Sequence, residues 1–410
     1  MTALDRLHQN PRNLRFFMAA SGCVFAASVL VAYFQFKNIT LPRFLMMQAI
    51  FSLSMVVLEV PSGYLSDRFS RRSVLLTGVG FLLFANIVLL FSYDFLTLTL
   101  GLILMAVGRS FISGTASALL YDSLLSCDRL EDYPKEEGRM KSWTAYSFSV
   151  SGLTGSLMFA VSPDLPQAIT CIIMALALWS AFQLVEPPLH RPVSDRSPIR
   201  EMVSFVHYSL YGHKELPWLI AYSGLICSGT LMGFWLMQPY WESLHIHLAL
   251  FGFLFFLTQS FRGFSLARSS ALLKLVNSKK MAIWLFLLLC LSFSLQSVCT
   301  HPIAALLSLL PAVIYGVCHV MILQLINERV ESHMRATVLS IESLAWRLGF
   351  SIAAPLVGIC IDRYGLQVSF MLCAISWLTL GIYPLYQLCY KQRTNHDALS
   401  PGAAPKTIIS

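Results

Sequence analysis

Residues 73–93 read SVLLTGVGFLLFANIVLLFSY, a run of 21 residues that contains no Asp, Glu, Lys or Arg. An α-helix of about 20 apolar residues is long enough to cross the roughly 30 Å hydrocarbon core of a bilayer. A transmembrane β-strand would instead alternate apolar and polar side chains over about 10 residues, which this run does not do. The stretch therefore predicts a membrane-spanning helix.

The whole chain has the same character. Its 410 residues are 56% hydrophobic and only 12% charged, whereas soluble domains carry about 25% charged residues. The apolar run from about residue 16 to 36 is too long for a cleaved signal peptide, so we interpret it as the first span. The ten cysteines show no metal-ligand spacing, and buried packing is their simplest interpretation. These features predict an all-α membrane protein without cofactor or metal.

Twelve transmembrane helices are predicted from the apolar runs. Their approximate bounds are 15–36, 43–66, 73–93, 96–122, 142–161, 165–185, 216–240, 247–267, 282–299, 302–326, 337–361 and 366–389.

The positive charges define an orientation for these spans. If the N-terminus is cytoplasmic, 23 of the 29 Lys and Arg residues fall in cytoplasmic segments, and the outer loops hold only Lys37, Arg43 and Arg363. Lys and Arg are enriched in cytoplasmic loops, which predicts that both termini are cytoplasmic. The net charge of +8 is thus explained by topology, and no nucleic-acid partner is expected.

The longest polar interval divides the chain into two halves. We predict a six-helix bundle at 1–185, a cytoplasmic linker at 186–215, a second six-helix bundle at 216–390 and a cytoplasmic tail at 391–410. Ser197-Pro198 is a plausible helix start, and the apolar residues of 199–210 fit a short helix lying on the membrane.

The two halves resemble each other weakly. Gly63 with Arg68 is matched 200 residues later by Gly263 with Arg268. Transporters built from two six-helix repeats bind their solute between the repeats near mid-membrane.

The sharpest local motif is Gly63-Tyr-Leu-Ser-Asp67-Arg68-Phe-Ser-Arg71-Arg72, between the second and third spans. Three arginines alone are explained by orientation, but the glycine and the acid are not. We expect the glycine to let helices 2 and 11 approach closely, and the charges to interact with helix termini.

This stretch resembles the signature loop of the major facilitator superfamily, Gly-x-x-x-Asp-Arg/Lys-x-Gly-Arg/Lys-Arg/Lys, with Ser70 in place of the second glycine. Three further segments are similar to a bacterial branch of that superfamily: Glu59-Val-Pro61-Ser, Ala118-Leu-Leu-Tyr121-Asp122 and Arg335-Ala-Thr-Val-Leu-Ser340. The resemblance implies twelve helices in two six-helix repeats, and a location in the bacterial inner membrane.

The resemblance also implies roles for the loop residues. In the family, Asp67, Arg71 and Asp122 would form a linked set that braces the cytoplasmic gate. The family's helix-4 pattern, an arginine followed four residues later by glycine, is only approximated by Arg109 and Gly114.

Five charged residues lie within spans or near their ends: Glu59, Arg109, Arg262, Glu342 and Arg347. A charge in hydrocarbon costs at least about 2.5–3.5 kcal/mol on insertion scales, so each is expected to face a partner or a water-filled cavity. We expect Arg262 and Arg347 to neutralise Glu59 and Glu342. Two interpretations stay open: a static ion-pair lock between helices, or a titratable carboxylate that couples solute movement to protons, with Glu342 the first candidate and Glu59 the second.

Five residues are candidates for the cavity wall because they are aromatic or amide side chains on helices 1, 7 and 8: Tyr33, Gln35, Trp235, Gln238 and Gln259. Pro239 beside Gln238 would free backbone groups near an outer gate. His319 is interpreted as a packing residue.

Other classes of protein find little support. The chain lacks a nucleotide-binding Gly-x-x-x-x-Gly-Lys-Ser/Thr motif, a His-Glu-x-x-His helix and a Gly-x-Ser-x-Gly elbow. A lipid-modifying enzyme or a non-transporting sensor remains the alternative from a different class. We predict a monomeric secondary transporter whose partners are a small solute, protons and lipids. Proton-coupled export of an amphipathic molecule is favoured, and uptake of a metabolite or metal chelate is the alternative.

Overall fold

The protein was analysed as a computed structural model, which describes residues 7–188, 215–331 and 334–398. Side chains are described at all of these positions except Val60, Tyr64, Asp67, Ala336 and 390–398. The membrane-surface helix expected within 199–210 lies outside the described residues.

The first half contains six helical spans. They are α1a (Asn10–Gly22) and α1b (Leu30–Phe36), joined through a 3-10 turn at Phe25–Val29, then α2 (Leu41–Arg68), α3 (Arg71–Phe91), α4 (Phe95–Leu125), α5 (Tyr133–Val161) and α6 (Leu165–Phe182).

The second half repeats this pattern. Its helices are α7 (Leu216–Ser243), α8 (Phe251–Leu275), α9 (Ser278–Val298) and α10 (Leu309–Arg329), the last preceded by a 3-10 turn at Pro302–Ser308. The run Arg335–Ala398 is broken at Gly365, whose φ of 82° is a left-handed conformation that favours glycine. We call the part before Gly365 α11 and the part after it α12. The predicted tail is therefore helical as far as Ala398.

Local sequence explains where many helices begin. Proline stands in the first turn of several of them, where its missing N–H is not needed, at Pro11, Pro42, Pro134, Pro166 and Pro217. Ser70 caps α3 by accepting a hydrogen bond from the N–H of Ser73 at 3.1 Å. This explains why serine serves where the superfamily prefers glycine: the φ of Ser70 is −62°, which needs no glycine.

The bundle has two ends. The linker face is formed by residues 69–70, 126–132, 183–188, 276–277, 330–331 and 334. The hairpin face is formed by residues 37–40, 92–94, 162–164, 244–250 and 299–301. At the linker face, the Asn10 side chain donates to the carbonyl of Val185 at 2.7 Å. At the hairpin face, Lys37 Nζ lies 2.9 Å from Asp164 Oδ1.

The outer surface is suited to lipid. Large apolar side chains point outward all around the bundle, including Phe91 at 75%, Val161 at 81% and Ile352 at 66% exposure. Ten helical stretches of the described residues have the length and hydropathy of membrane spans, and one of them, Thr337–Cys389, contains both α11 and α12. α5 is not among these ten stretches, because its first turns are charged and its apolar residues follow only after them. The chain is a multi-pass membrane protein.

Candidate functional site

At the hairpin face, a glutamine joins the two halves. The Gln238 side chain on α7 donates to the carbonyl of Ala27 and accepts from the N–H of Val31, both at 2.9 Å. These backbone groups belong to the 3-10 turn of the first span and its exit, where the regular helical ladder is interrupted. A buried amide from the other half therefore satisfies backbone groups that the first span leaves open.

Helices α5 and α8 close the same end from another side. The Ser156 hydroxyl donates to the carbonyl of Ala249 and accepts from the N–H of Gly252, both at 3.0 Å. A Cβ atom added at Gly252 would collide with the carbonyl of Leu153. Only glycine permits this approach of the two backbones.

Helices α2 and α11 continue the contact toward mid-membrane. The Ser52 hydroxyl donates to the carbonyl of Arg347, and the Ser351 hydroxyl donates to the carbonyl of Ala49, each at 3.2 Å. The hydrogen bonds that Gln238, Ser156, Ser52 and Ser351 make between the two halves lie on the hairpin-face side of Arg347 or at its level. The hairpin face is closed.

Toward the linker face, a polar cavity of about 380 Å³ separates α2, α4 and α11. Its wall carries mainly hydroxyl groups and two charges, and includes Ser62, Ser66, Ser110, Ser113, Thr115, Ser343, Glu59 and Arg347. A site this polar and roomy can hold water. The cavity is the opening of the bundle toward the linker face.

Gly63 corrects one sequence-based expectation. It lines this cavity, and a Cβ atom added there would meet nothing within 4 Å. The expectation that Gly63 brings α2 and α11 together is wrong for this conformation, because Gly63 faces the cavity and not a neighbouring helix. Gly114 and Gly263 also face open space.

The two candidate carboxylates occupy different surroundings. Glu342 on α11 is buried at 6% exposure and accepts a hydrogen bond from the Ser223 hydroxyl of α7. Glu59 lines the polar cavity together with Arg347, and the Ser340 hydroxyl of α11 is a hydrogen-bond partner of its carboxylate. Among the described residues, neither carboxylate has a Lys or Arg nitrogen within 4.0 Å. The expected direct neutralisation of Glu59 and Glu342 by arginines is therefore not found in this conformation.

Arg262 takes a different partner from the one expected. Its guanidinium carbon lies 4.1 Å from the ring centroid of Tyr315, whose ring is in turn stacked on His319 at 5.5 Å. The prediction that Arg262 neutralises a glutamate is wrong here, because cation–π stacking holds it on the face of Tyr315. The packing role expected for His319 agrees with this stack.

A second cavity, of about 150 Å³, lies beside Arg262. It is bordered by α5, α7, α8 and α11, and by α10 with the 3-10 turn that precedes it. Its lining comprises Phe148, Cys227, Thr230, Leu231, Phe234, Thr258, Gln259, Arg262, Ser308, Pro311, Ala312, Tyr315 and Trp346.

The structure separates the five residues expected to line a cavity. Gln259 lines the 150 Å³ cavity. Tyr33 is fully buried and donates to the carbonyl of Leu89 at 3.0 Å, and Gln238 bonds the first span; neither lines the 150 Å³ cavity or the 380 Å³ cavity. Gln35 donates to Glu242 at 3.4 Å near the hairpin face, and Trp235 packs edge-on against Phe44.

The charge cluster at the linker face contains a close ion pair. Arg71 Nη1 lies 2.6 Å from Asp122 Oδ2, and Arg71 also donates to the carbonyl of Ala118. This links the start of α3 to the end of α4. The side chain of Asp67 lies outside the described residues, so its part in the predicted set stays a prediction.

The other arginines of the motif lie near this cluster, and Arg109 lies further along α4, toward mid-membrane. Arg72 donates to the carbonyl of Phe182 at 3.0 Å, and Arg68 is exposed in the last turn of α2, where a cation is favourable. Arg109 on α4 is half-buried and makes no hydrogen bond or ion pair with the described residues.

Sequence reasoning missed several polar anchors. The Glu186 carboxylate accepts from the backbone N–H groups of Arg71 and Arg72 at 3.0 and 2.8 Å, at the N-terminus of α3. Glu136, 7% exposed, binds Arg15 at 2.6 Å and Arg139 at 2.8 Å. An acid directly after a span was the available signal for Glu186, since helix N-termini favour negative charge.

Comparison with known proteins agrees with this architecture. The sequence profile of the Major Facilitator Superfamily matches residues 14–322. No curated protein matches the sequence at a significant level.

Solved structures of transporters share the fold. The nucleoside transporter NupG superposes with a TM-score of 0.76 at 13% identity, covering 94% of this chain and 99% of NupG. A POT family transporter in complex with 5-aminolevulinic acid gives 0.68 at 12% identity, covering 94% and 96%. A bacterial homolog of the human lysosomal transporter Spinster, inward-facing and unoccupied, gives 0.67 at 13% identity, covering 98% of each chain.

The closed hairpin face, the paired six-helix halves and the profile match define a class: a membrane transporter and not an enzyme. The chain belongs to the Major Facilitator Superfamily. The predicted family and the twelve-helix, two-repeat fold are thereby confirmed.

Proposed function

We propose that this chain is a proton-coupled secondary transporter that moves a small solute by alternating access. The observation that carries the proposal is the asymmetry of the bundle. Gln238, Ser156 and Ser52 bind the opposite half on the hairpin-face side, while the polar cavity beside Glu59 opens toward the linker face. Such a structure is one of the two states that alternating access requires.

The orientation follows from the distribution of Lys and Arg. With the linker face in the cytoplasm, both termini are cytoplasmic and this conformation is inward-open. We place the chain in the bacterial inner membrane as a monomer, since both cavities are formed within one chain.

Proton coupling is supported by Glu342 and Glu59. An ionised carboxylate is costly to bury unless a cation or several hydrogen bonds compensate it. Glu342 is buried with one hydroxyl donor from Ser223 and no cation within 4.0 Å among the described residues, which does not favour a static ion-pair lock. The hydroxyl-lined cavity beside Glu59 supplies a wet route toward the linker face. Glu342 remains the first candidate for the proton carrier.

The direction of transport is proposed from the 150 Å³ cavity. No carboxylate lines it and one arginine does, so it suits an anionic or acceptor-rich solute better than a cation. We therefore favour proton-coupled uptake over the export that the sequence favoured. Export of an amphipathic molecule stays the second candidate, because Phe148, Phe234 and Trp346 give the cavity aromatic walls. A deletion strain that gains sensitivity to toxic compounds without a growth defect would favour export.

Spin labels at both ends of α5 and α8 test alternating access. Ser142 and Leu275 are exposed near the linker-face ends, and Val161 and Leu250 are exposed at the hairpin-face ends. In a cysteine-free background, we expect each pair to show two distance populations, with the linker pair long when the hairpin pair is short. One unchanging distance for both pairs across pH and lipid conditions would instead indicate a non-transporting protein of this fold.

A further inference from the structure

We infer that the 150 Å³ cavity binds a small planar anion, with Arg262 and Gln259 holding its acidic group and the aromatic walls holding its ring. This inference names the solute class of the transporter proposed above and rests on that proposal.

The stacking orients Arg262 as a hydrogen-bond donor for an anion. Cation–π contact with Tyr315, at 4.1 Å, uses the flat face of the guanidinium, and the Tyr315 hydroxyl is a hydrogen-bond partner on one side, which leaves the other N–H groups available. The carbonyl of Arg262 accepts from Ser265 at 2.9 Å, and Gly316 of α10 packs against the same turn. Both the backbone and the guanidinium of Arg262 are therefore fixed in place before a solute binds.

The cavity gives Arg262 no countercharge. None of its lining residues is Asp or Glu. Glu342, the buried carboxylate of α11, is not a lining residue of this cavity and accepts its hydrogen bond from Ser223 on α7. A half-buried cation without an acid beside it is stabilised when a solute brings the missing negative charge.

Gln259 adds a second donor one helical turn away. Its Nε2 is buried against the cavity and has no hydrogen-bond partner among the described residues. Residues three apart on a helix share a face, so Gln259 and Arg262 point to the same side of α8. A buried N–H group without a partner is destabilising, and a solute oxygen would supply the missing acceptor.

The aromatic walls and the volume of the cavity indicate the shape and size of the remaining part of the solute. Phe148, Phe234 and Trp346 come from three different helices and present rings to one space. A volume of about 150 Å³ is below the roughly 300–1,000 Å³ of pockets for drug-sized ligands. The geometry fits one ring with one acidic group.

A matched set of single-ring compounds tests this inference. Benzoate, benzamide and benzylamine share a ring and differ in charge. We expect benzoate to bind the purified full-length protein in calorimetry more tightly than benzamide, and benzylamine to bind least. Arg262→Gln should weaken benzoate binding about tenfold or more, because a charge-assisted hydrogen bond contributes about 1.5–3 kcal/mol.

Arg268→Gln is the matched control. Arg268 lies on the same helix but is exposed, so benzoate binding should stay at the wild-type level. If Arg262→Gln does not give folded protein, Arg262→Lys decides, since it keeps the charge and loses the planar fork. Weaker benzoate binding by Arg262→Lys supports the inference.

Three outcomes overturn it: benzylamine binding best, benzoate binding unchanged by both Arg262 variants, or no binding by any of the three compounds. The spin-label distances do not depend on these compounds. If the spin labels show two distance populations at both ends and any of these three outcomes is found, the proposed solute class is wrong. The proposal that the protein is a transporter is then unaffected.

Discussion

Gln238 and Ala27 are joined across the two halves of the bundle by a hydrogen bond of 2.9 Å from the side-chain amide to the backbone carbonyl. The same amide accepts from Val31, so one side chain satisfies two backbone groups of the interrupted first span. Any opening of the hairpin face must break both bonds.

We therefore predict that Gln238→Leu shifts the protein toward the hairpin-open state. Leucine keeps the size but leaves the carbonyl of Ala27 and the N–H of Val31 without a partner, at about 1–3 kcal/mol for each buried group. In distance measurements with labels at Val161 and Leu250, the long population should grow.

Gln296→Leu is the control for this prediction. Gln296 is buried at 1% exposure, and its amide donates to Ser292 on its own helix. This variant should leave the distance distribution unchanged. Equal effects of the two variants would contradict the role given to Gln238.

Two glycine substitutions distinguish the closed face from the open face. Gly252→Ala should lower thermal stability, with an overpacking cost of about 1–3 kcal/mol, because its Cβ would collide with the carbonyl of Leu153. Gly63→Ala should leave the melting temperature nearly unchanged, since its Cβ meets nothing within 4 Å. A large loss of stability in Gly63→Ala would show that the linker-face ends of α2 and α11 are packed in the purified protein.

The charge cluster is predicted to brace the linker face rather than bind solute. Asp67→Asn, and Asp122→Asn at the partner of Arg71, should slow turnover while leaving equilibrium affinity for the solute nearly intact. Binding in detergent and transport in vesicles separate the two quantities. Strong loss of affinity with normal exchange between conformations would contradict the assignment.

Topology is tested by labelling in intact cells. In a cysteine-free background, cysteines at Ser197 and Ser400 should resist a membrane-impermeant thiol reagent. A cysteine at Thr300, exposed at the hairpin face, should react and serves as the positive control. Rapid reaction at Ser197 or Ser400 would reverse the proposed orientation.

The sequence predicts the spans well because lipid imposes a simple rule: each helix needs about 20 apolar residues, and breaks such as Gly365 fall where the runs end. The resemblance to the superfamily also predicted that Arg71 and Asp122 belong to one cluster at the ends of neighbouring helices. Their separation of 2.6 Å is a local consequence of the helix packing.

The partners of the buried charges were less predictable. Helix depth, which the sequence gives, placed Arg262 and Glu342 at similar levels, but the rotation of each helix decides what a side chain meets. Arg262 consequently stacks on Tyr315, and Glu342 meets Ser223. Tyr33 and Gln238 were expected to line a cavity; instead Tyr33 bonds α3 within its own half, and Gln238 bonds the first span across the two halves. If the chain alternates between two states, as proposed, one sequence encodes both, and it does not reveal which contacts belong to the state observed.

We propose that protonation of Glu342 is coupled to the exchange between the two states. The pH dependence of the linker-face distance measures this coupling. With labels at Ser142 and Leu275, lowering the pH should increase the long-distance population, because a neutral carboxyl tolerates the burial of Glu342 seen in this linker-open state. Glu342→Gln should hold the protein near the low-pH distribution at every pH, or Glu59→Gln should do so if the second candidate carries the proton. If Glu342→Gln keeps the pH response of the wild-type protein, Glu342 does not carry the coupling proton, and if Glu59→Gln keeps it as well, neither carboxylate does.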